Sequence, residues 1–420
     1  MMKLKKQSDE KEILVSDKHL GLRIAAFAVA FVVAVSAFAV GIYQMVKKEP
    51  GYAVITPAID KDAPRYASGI TLTYYFSGSS GEIKDAQREL TTHYSGALQR
   101  IYKLLDPVEE YPGFVNLATI NHHPGKELEV SEELFAVLTD ALDKTAENQG
   151  FNLFAGPLNA EWNSILGSEQ AADFDPLNDP EEAARLAAIA EMTADRTCVS
   201  LTVTDANRRA VRLDLSDRYT AFSQQYELTG PVLDLGLLKE AWILDLTAAD
   251  LEKGFYHFGY FQTADGLVRA LSQPGGGDNV LYAWIENAPA TAALAPMKEN
   301  MACSRFKCFP LGGELGYYTV EAQGQVHYRG PYSLAAPAFE TPLAASYAMT
   351  DGSAVEACYH NIRLWHLGGM EAILAAVAEE RDCLLAVVAP ESRVLYGNRL
   401  ALAQIETYAG AGFSVRPAGE

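Results

Sequence analysis

The stretch Leu233-Asp234-Leu235-Gly236-Leu237-Leu238-Lys239-Glu240-Ala241-Trp242-Ile243-Leu244-Asp245 brings together an acidic residue, a glycine and an apolar helical stripe. Its first four residues read as the end of a strand entering a tight turn. Leu238, Ala241, Trp242 and Asp245 then fall at helical spacing. A strand-turn-helix corner of this kind aims backbone N–H groups at an anion, with phosphate the expected guest. The same pattern also serves as a purely structural corner, and both readings stand at this point. A second stretch, Phe151-Asn152 with Gly156-Pro157-Leu158 and Trp162, is too apolar for a solvated loop. It reads either as a packed corner or as the wall of a ligand pocket. Cys198, Cys303, Cys308, Cys358 and Cys383 are scattered, with no CxxC pair, which predicts buried free thiols rather than a disulfide framework or a zinc site. Cys303 and Cys308 are the pair close enough in sequence to bridge in an exported domain.

Charge narrows the partners. The chain has 420 residues, is 49% hydrophobic and carries a formal charge of −20. Its first 50 residues hold 8 Lys/Arg and 5 Asp/Glu, leaving 26 and 49, or −23, for the remainder. So acidic a body repels a phosphodiester backbone, which excludes nucleic acid as a partner. A bound nucleotide has to be held by local backbone dipoles or a metal.

Residues 24–43 form an apolar run with Ser36 as its one clearly polar side chain, the length that crosses a ~30 Å hydrocarbon core. Lys3, Lys5, Lys6, Lys11, Lys18 and Arg23 precede it, and only Lys47 and Lys48 follow closely. The positive-inside rule then predicts a cytoplasmic tail (1–23), a single transmembrane helix (24–43) in the cell membrane, and an extracytoplasmic body. A cleaved signal peptide with Ala37-Phe38-Ala39 at its end is the competing reading. Residues 44–68, with Pro50, Pro57 and Pro64, suit a linker, and 69–420 form the folded domain.

The elements follow in order. Ile70–Phe76 alternates as a strand, and Ile83, Ala86, Leu90, Tyr94, Ala97, Ile101 and Leu104 make one helical stripe. Val115–Asn121 reads as short and extended. Ser131 is a good N-cap for a helix ending near Gly150, with Leu134, Leu138, Ala141, Leu142 and Thr145 on its core side. Asp179-Pro180-Glu181-Glu182 opens another helix. Cys198–Thr204 and Ala210–Leu215 pair as a hairpin, strands are expected over Gly254–Tyr260 and Val280–Ile285, and a helix at 370–379 and a strand at 384–389 close the chain. The fold class is α+β, mixed sheets with packed helices behind one N-terminal transmembrane helix.

The order of these features resembles a family. Asn116-Leu-Ala-Thr-Ile-Asn121, then a capped helix, then Gly150-Phe-Asn152 with Gly156-Pro-Leu158 and Trp162, then Leu233-Asp-Leu-Gly236, is similar to the FAD:protein FMN transferases (ApbE-like) over roughly residues 69–400. That family carries a Gly-Pro-Leu corner, a "D-L-G-G-I-A-K-G-Y-A-x-D" turn, an "H-I-I-D-P-x-T-G" segment and an "A-D-A-L-S-T" helix start. The resemblance implies an ApbE-like fold and a flavoprotein transferase that uses FAD as substrate with Mg²⁺. FMN passes to a Thr or Ser of an extracytoplasmic acceptor protein, and AMP is released.

Carried over position by position, the resemblance assigns cofactor binding to Asn121, Gly156, Asp234, Gly236, Asp245 and Ser304. It assigns catalytic roles to His327 and Lys239, and metal ligation to Glu356 and His360, four residues apart on one helical face. An imidazole at the metal favours Zn²⁺ or another transition ion over Mg²⁺. The sequence departs from the family at Leu237, Glu240 and Ala241, where glycine, lysine and glycine are expected. Leucine and glutamate there weaken pyrophosphate binding. Two functions follow as expectations: an FMN transferase with an altered metal site, or a catalytically inactive, membrane-anchored flavin- or partner-binding module.

Overall fold

The computed structural model describes residues 48–58, 69–166, 179–263, 266–273, 280–284, 291–296, 301–307, 309–310, 318–322, 325–329, 345–367, 369–389, 394–403, 406–407 and 414–419. The apolar run 24–43 lies outside them, and among the described residues no helix is long and apolar enough to cross a membrane. The chain divides into two units, Met1–Pro50 with Ser77–Lys84, and Gly51–Phe76 with Asp85–Glu420. In the first, Lys48 N–H donates to Ser80 Oγ at 2.8 Å, and the Ser79 N–H at 2.7 Å from Glu82 Oε2 holds that carboxyl below its usual range.

The second unit is built on a nine-stranded sheet. Its strands are β1 (Gly51–Ile55), β2 (Ile70–Phe76), β6 (Gly259–Thr263), β7 (Val268–Ala270), β10 (Met301–Lys307), β14 (Ala345–Asp351), β15 (Leu384–Ala389), β16 (Val394–Gly397) and β18 (Ser414–Pro417), side by side in that order. All pairings are antiparallel except β16 with β18. The sheet therefore follows chain order, with long excursions inserted. The intervening strands β3 (Leu128–Glu129), β4 (Val199–Asp205) and β5 (Ala210–Leu215) form one small sheet. Strands β8 (Val280–Trp284), β9 (Thr291–Pro296) and β17 (Glu406–Thr407) form another, and β11 (Phe309–Pro310), β12 (Tyr318–Ala322) and β13 (Gln325–Arg329) a third.

The helices are α1 (Ser80–Leu104), α2 (Leu117–His122), α3 (Glu132–Glu147), α4 (Gly156–Leu166), α5 (Pro180–Ala194), α6 (Asp217–Gln225), α7 (Lys239–Lys253), α8 (Ala354–His366), α9 (Met370–Glu379) and α10 (Arg399–Leu402). Ile70, Leu72, Tyr74 and Phe76 of β2 alternate inward, and Leu90, Tyr94, Leu98 and Ile101 of α1 are buried with them. Tyr94 O–H donates to Ile70 C=O at 3.2 Å. In β10 and β14 the small residues Ala302, Ser304, Ser346 and Ala348 share the face that α8 covers. Met301, Cys303, Tyr347 and Met349 point the other way and belong to an apolar cluster with Leu384, Ala386 and Val388.

Most of the sequence expectations hold. Ser131 Oγ accepts the Leu134 N–H at the start of α3, and Asp179 Oδ1 accepts the Glu181 and Glu182 N–H groups at the start of α5. Cys198, Cys303, Cys358 and Cys383 are free and buried, while Cys308 lies outside the described residues. Three local readings are corrected. The strand expected over Gly254–Tyr260 starts only at Gly259, because Gly254 caps α7 and the chain turns after it. The segment read as extended at 115–121 is helix α2, because Asn116 and Thr119 form a capping box in which each side chain meets the other's backbone N–H. Gly156 opens a helix rather than continuing a loop.

Candidate functional site

No strand leads into the Leu233–Asp245 corner. Leu233–Leu235 is an irregular segment, Gly236–Leu238 a single 3₁₀ turn, and α7 starts at Lys239. The segment is held by side chains instead of a ladder. Asn121 Oδ1 accepts the Leu233 N–H at 2.7 Å, and its Nδ2 donates to Leu233 C=O and Pro107 C=O at 3.0 Å each. Asp234 Oδ1 accepts the Gly236 N–H at 3.1 Å, Oδ2 accepts Asn159 Nδ2 at 2.7 Å, and the Asp234 N–H donates to Leu153 C=O. Gly236 sits at φ +50, where a Cβ is disfavoured. Asn121, Asp234 and Gly236 thus build the corner itself, and Asn121 spends both amide protons on doing so.

Gly156 serves the same corner. A Cβ on it would lie 1.9 Å from Pro231 C=O, so the start of α4 can approach the chain before Leu233 only as glycine. At the corner α7 continues the 3₁₀ turn, with the Leu238 and Lys239 N–H groups donating to Leu235 and Gly236 C=O, and Leu238 at the cap supplies no side-chain hydrogen bond. Lys239, its first residue, lies over the Tyr102 ring at 4.5 Å and within 3.5 Å of the Tyr102 hydroxyl. Burial pulls the ammonium below the ordinary lysine value, opposed by Asp106, Asp234 and Glu240.

Asp245, two turns further along α7, caps the helix that carries the expected metal ligands. Its Oδ1 accepts the Ala354 N–H at 2.9 Å and Arg269 Nε at 3.0 Å; its Oδ2 accepts the Val355 N–H at 3.1 Å and Ser353 Oγ at 2.8 Å. Burial raises its pKa, and the Ala354 N–H and Arg269 pull it back. Its role is to fix the N-terminus of α8 against α7.

On α8, Glu356 meets a cation already present. Lys144 Nζ of α3 lies 2.5 Å from Glu356 Oε1 and 3.0 Å from Asp140 Oδ1, with its side chain 6% exposed. Asp140 Oδ2 in turn accepts Trp242 Nε1 of α7 at 3.1 Å. His360, one turn on, faces Glu380, with Nδ1 3.5 Å from Oε2. Burial lowers the His360 pKa, and Glu380 opposes the shift. Among the described residues no three His, Cys, Asp or Glu side chains gather where they could hold a metal ion. Glu356 and His360 point to different partners, one of them an ammonium, so they do not fit a divalent cation.

Ser304 is sealed inside. It is fully buried in β10 under α8, where its C=O accepts Asn361 Nδ2 at 2.8 Å. Asn361 Oδ1 accepts Ser346 Oγ at 2.7 Å, and Ser346 Oγ accepts Trp365 Nε1 at 2.5 Å. Cys358 Sγ donates to Leu237 C=O at 3.6 Å, tying α8 to the 3₁₀ turn, and burial pushes its thiol up to about 12. Ser304 therefore belongs to a polar core seam and not to a cofactor surface. His327 falls in β13, and its side chain lies outside the described residues.

Sequence reasoning missed Lys144, Asn159 and Asn361. Lys144 falls on the buried stripe of α3 beside Leu134, Val137, Leu138 and Ala141, and a lysine at a core position of an amphipathic helix is the signal that marks it. Asn361 is marked in the same way on the buried face of α8.

No protein-family model matches the chain, and no curated protein does. The apo flavinyl transferase ApbE of Pseudomonas stutzeri superposes with a TM-score of 0.54 at 15% identity, covering 86% of this chain and 99% of that one. The ApbE protein of Thermotoga maritima gives 0.49 at 16% identity (80% and 93% covered), and the flavin transferase ApbE of Vibrio cholerae 0.49 at 14% (87% and 98%). The chain has the fold of the Pseudomonas flavinyl transferase.

Proposed function

We propose that this protein is an FAD:protein FMN transferase, held by residues 24–43 in a cell membrane with its N-terminus cytoplasmic and its body outside. In the reaction an acceptor Thr or Ser oxygen forms a phosphoester bond to the FMN phosphorus. The pyrophosphate bond breaks, AMP leaves, and the hydroxyl proton passes to a base. The observation that carries this reading is the α7 corner within the shared fold. A helix N-terminus without a side-chain cap stands beside the lowered Lys239 ammonium, the arrangement that receives a phosphate. Asn121, Gly156, Asp234 and Asn159 hold that corner in shape, and Asp245 fixes α8 against it. His327 is the residue we assign to take the proton. No step is assigned to a metal at Glu356 and His360.

A second reading, a catalytically inactive flavin- or partner-binding module, is favoured by the Lys144–Glu356 ion pair together with Leu237, Glu240 and Ala241 in the corner. One assay separates the two. The full chain is incubated with FAD, an acceptor protein and Mg²⁺, Zn²⁺ or chelator; AMP release with covalent flavin on the acceptor supports transfer. Binding of FAD without AMP under every condition leaves the second reading.

A further inference from the structure

Lys144 stands at the junction of three helices. Its ammonium meets Asp140 Oδ1 from its own helix α3 and Glu356 Oε1 from α8, and it lies 5.0 Å from the Tyr359 ring centroid. Asp140 reaches α7 through Trp242, and Tyr359 O–H donates to Glu147 Oε2 at 2.9 Å, closing the cluster back onto α3. A charge this buried persists only when its donors are met. Burial works against the Lys144 charge, and the hydrogen bonds to Glu356 and Asp140 overcome it, so its pKa stands above the ordinary lysine value.

We propose that the Lys144 ammonium is the resident cation of this junction, standing between Asp140 and Glu356 where a divalent ion would otherwise bridge them. Three features argue for it. A magnesium ion asks for an octahedron of oxygens, and each of these carboxylates already gives one oxygen to the ammonium. A dication entering between these carboxylates meets the like charge of the Lys144 ammonium a few ångströms away, and the two repel. Lys144 is anchored at Asp140 one turn away on its own helix, so it cannot swing out without giving up both ion pairs. The inference concerns the cation and not turnover, so it stands apart from either reading of the FAD reaction.

The test uses the full chain and Mn²⁺ alone as a paramagnetic probe, with bound ion counted by electron paramagnetic resonance and thermal unfolding followed in parallel. Wild type is expected to bind no Mn²⁺ that Glu356→Gln removes, and to melt at the same temperature with and without chelator. Lys144→Ala vacates the cation position. It is expected to melt lower, to bind Mn²⁺ about tenfold or more tightly than wild type, and to regain part of its melting temperature in Mn²⁺. A Glu356-dependent Mn²⁺ site in wild type overturns the proposal, as does a folded Lys144→Ala that gains no Mn²⁺. Should Lys144→Ala not fold, the comparison of wild type with Glu356→Gln decides.

Discussion

Asn121 pairs with Leu233 as one strand residue pairs with another: its amide oxygen accepts the Leu233 N–H and its amide nitrogen donates to the Leu233 carbonyl, across 112 positions of sequence. One side chain thereby replaces a stretch of sheet in front of the α7 corner. Asn121→Ala leaves the Leu233 and Pro107 backbone groups without their partner. The expected loss is about 3 kcal/mol or more in urea unfolding, since three backbone groups are orphaned and each costs about 1–3 kcal/mol when buried. Hydrogen exchange of the Gly236–Leu238 amides should quicken more than that of α1.

Lys239→Met separates binding from stability. Burial makes the Lys239 charge less favourable in the fold than on a free lysine, so removing it relieves the fold of that cost. FAD affinity is expected to fall about tenfold, in line with a charge-assisted contact of about 1.5 kcal/mol or more, with the melting temperature unchanged or raised. Isothermal titration with FAD and a thermal melt measure both; unaltered affinity refutes the anion role of the corner.

Two glycine substitutions should act in opposite directions. Gly156→Ala drives a methyl into Pro231 C=O at 1.9 Å and is expected to cost about 3 kcal/mol or more, as severe overpacking does. Gly96, inside α1, has open space around it, so Gly96→Ala should gain about 0.5–1 kcal/mol from helix propensity. Chemical denaturation of the pair gives the sign of each.

The core seam under α8 predicts a third loss. Asn361→Leu keeps the volume but leaves the Ser346 hydroxyl proton and the Ser304 carbonyl without their amide partner, in a region of zero exposure for Asn361 and Ser304, while Trp365 Nε1 keeps Ser346 Oγ. About 2–4 kcal/mol is expected, because the satisfied network is broken rather than replaced. Near-ultraviolet circular dichroism of Trp365 reports whether α8 still seats on the sheet.

Acid should destabilise the fold in the histidine range. Burial holds His366 below its ordinary value, and its Nδ1 has no hydrogen-bond partner; His360 is lowered too. The unfolded chain then binds more protons than the folded one. Stability is present above the unfolded pKa of about 6.5 and is lost as pH falls toward the lowered folded values. Unfolding free energy measured between about pH 7.5 and about pH 5.5 should drop, and His366→Leu should flatten part of that slope while the His360 share remains.

Regular elements were legible where one local rule governs them. Period-2 alternation marked Ile70–Phe76, and Ser131 and Asp179 marked their helices through N-cap chemistry. Val115–Asn121 misled because its β-compatible composition hides a capping box formed by Asn116 and Thr119. At the corner the turn and helix were legible, the leading strand is absent, and what its residues do was not readable. Whether Asp234 faces a ligand or Asn159, and whether Glu356 faces a metal or Lys144, depends on partners 75 and 212 positions away. Long-range pairing of polar side chains leaves no periodic trace in a sequence.

The chain-ordered main sheet carries a cost in time. Strand β2 must wait for β6, whose Gln262 carbonyl meets Thr71 Oγ1 across 191 positions, before its second edge is covered. At about 5–20 residues per second of synthesis that wait lasts roughly 10–40 s. Until α1 docks, Ile70, Leu72, Tyr74 and Phe76 form an open apolar ribbon. Early docking of α1, which follows β2 directly and covers that face, is what keeps the nascent chain from joining a neighbour's edge instead.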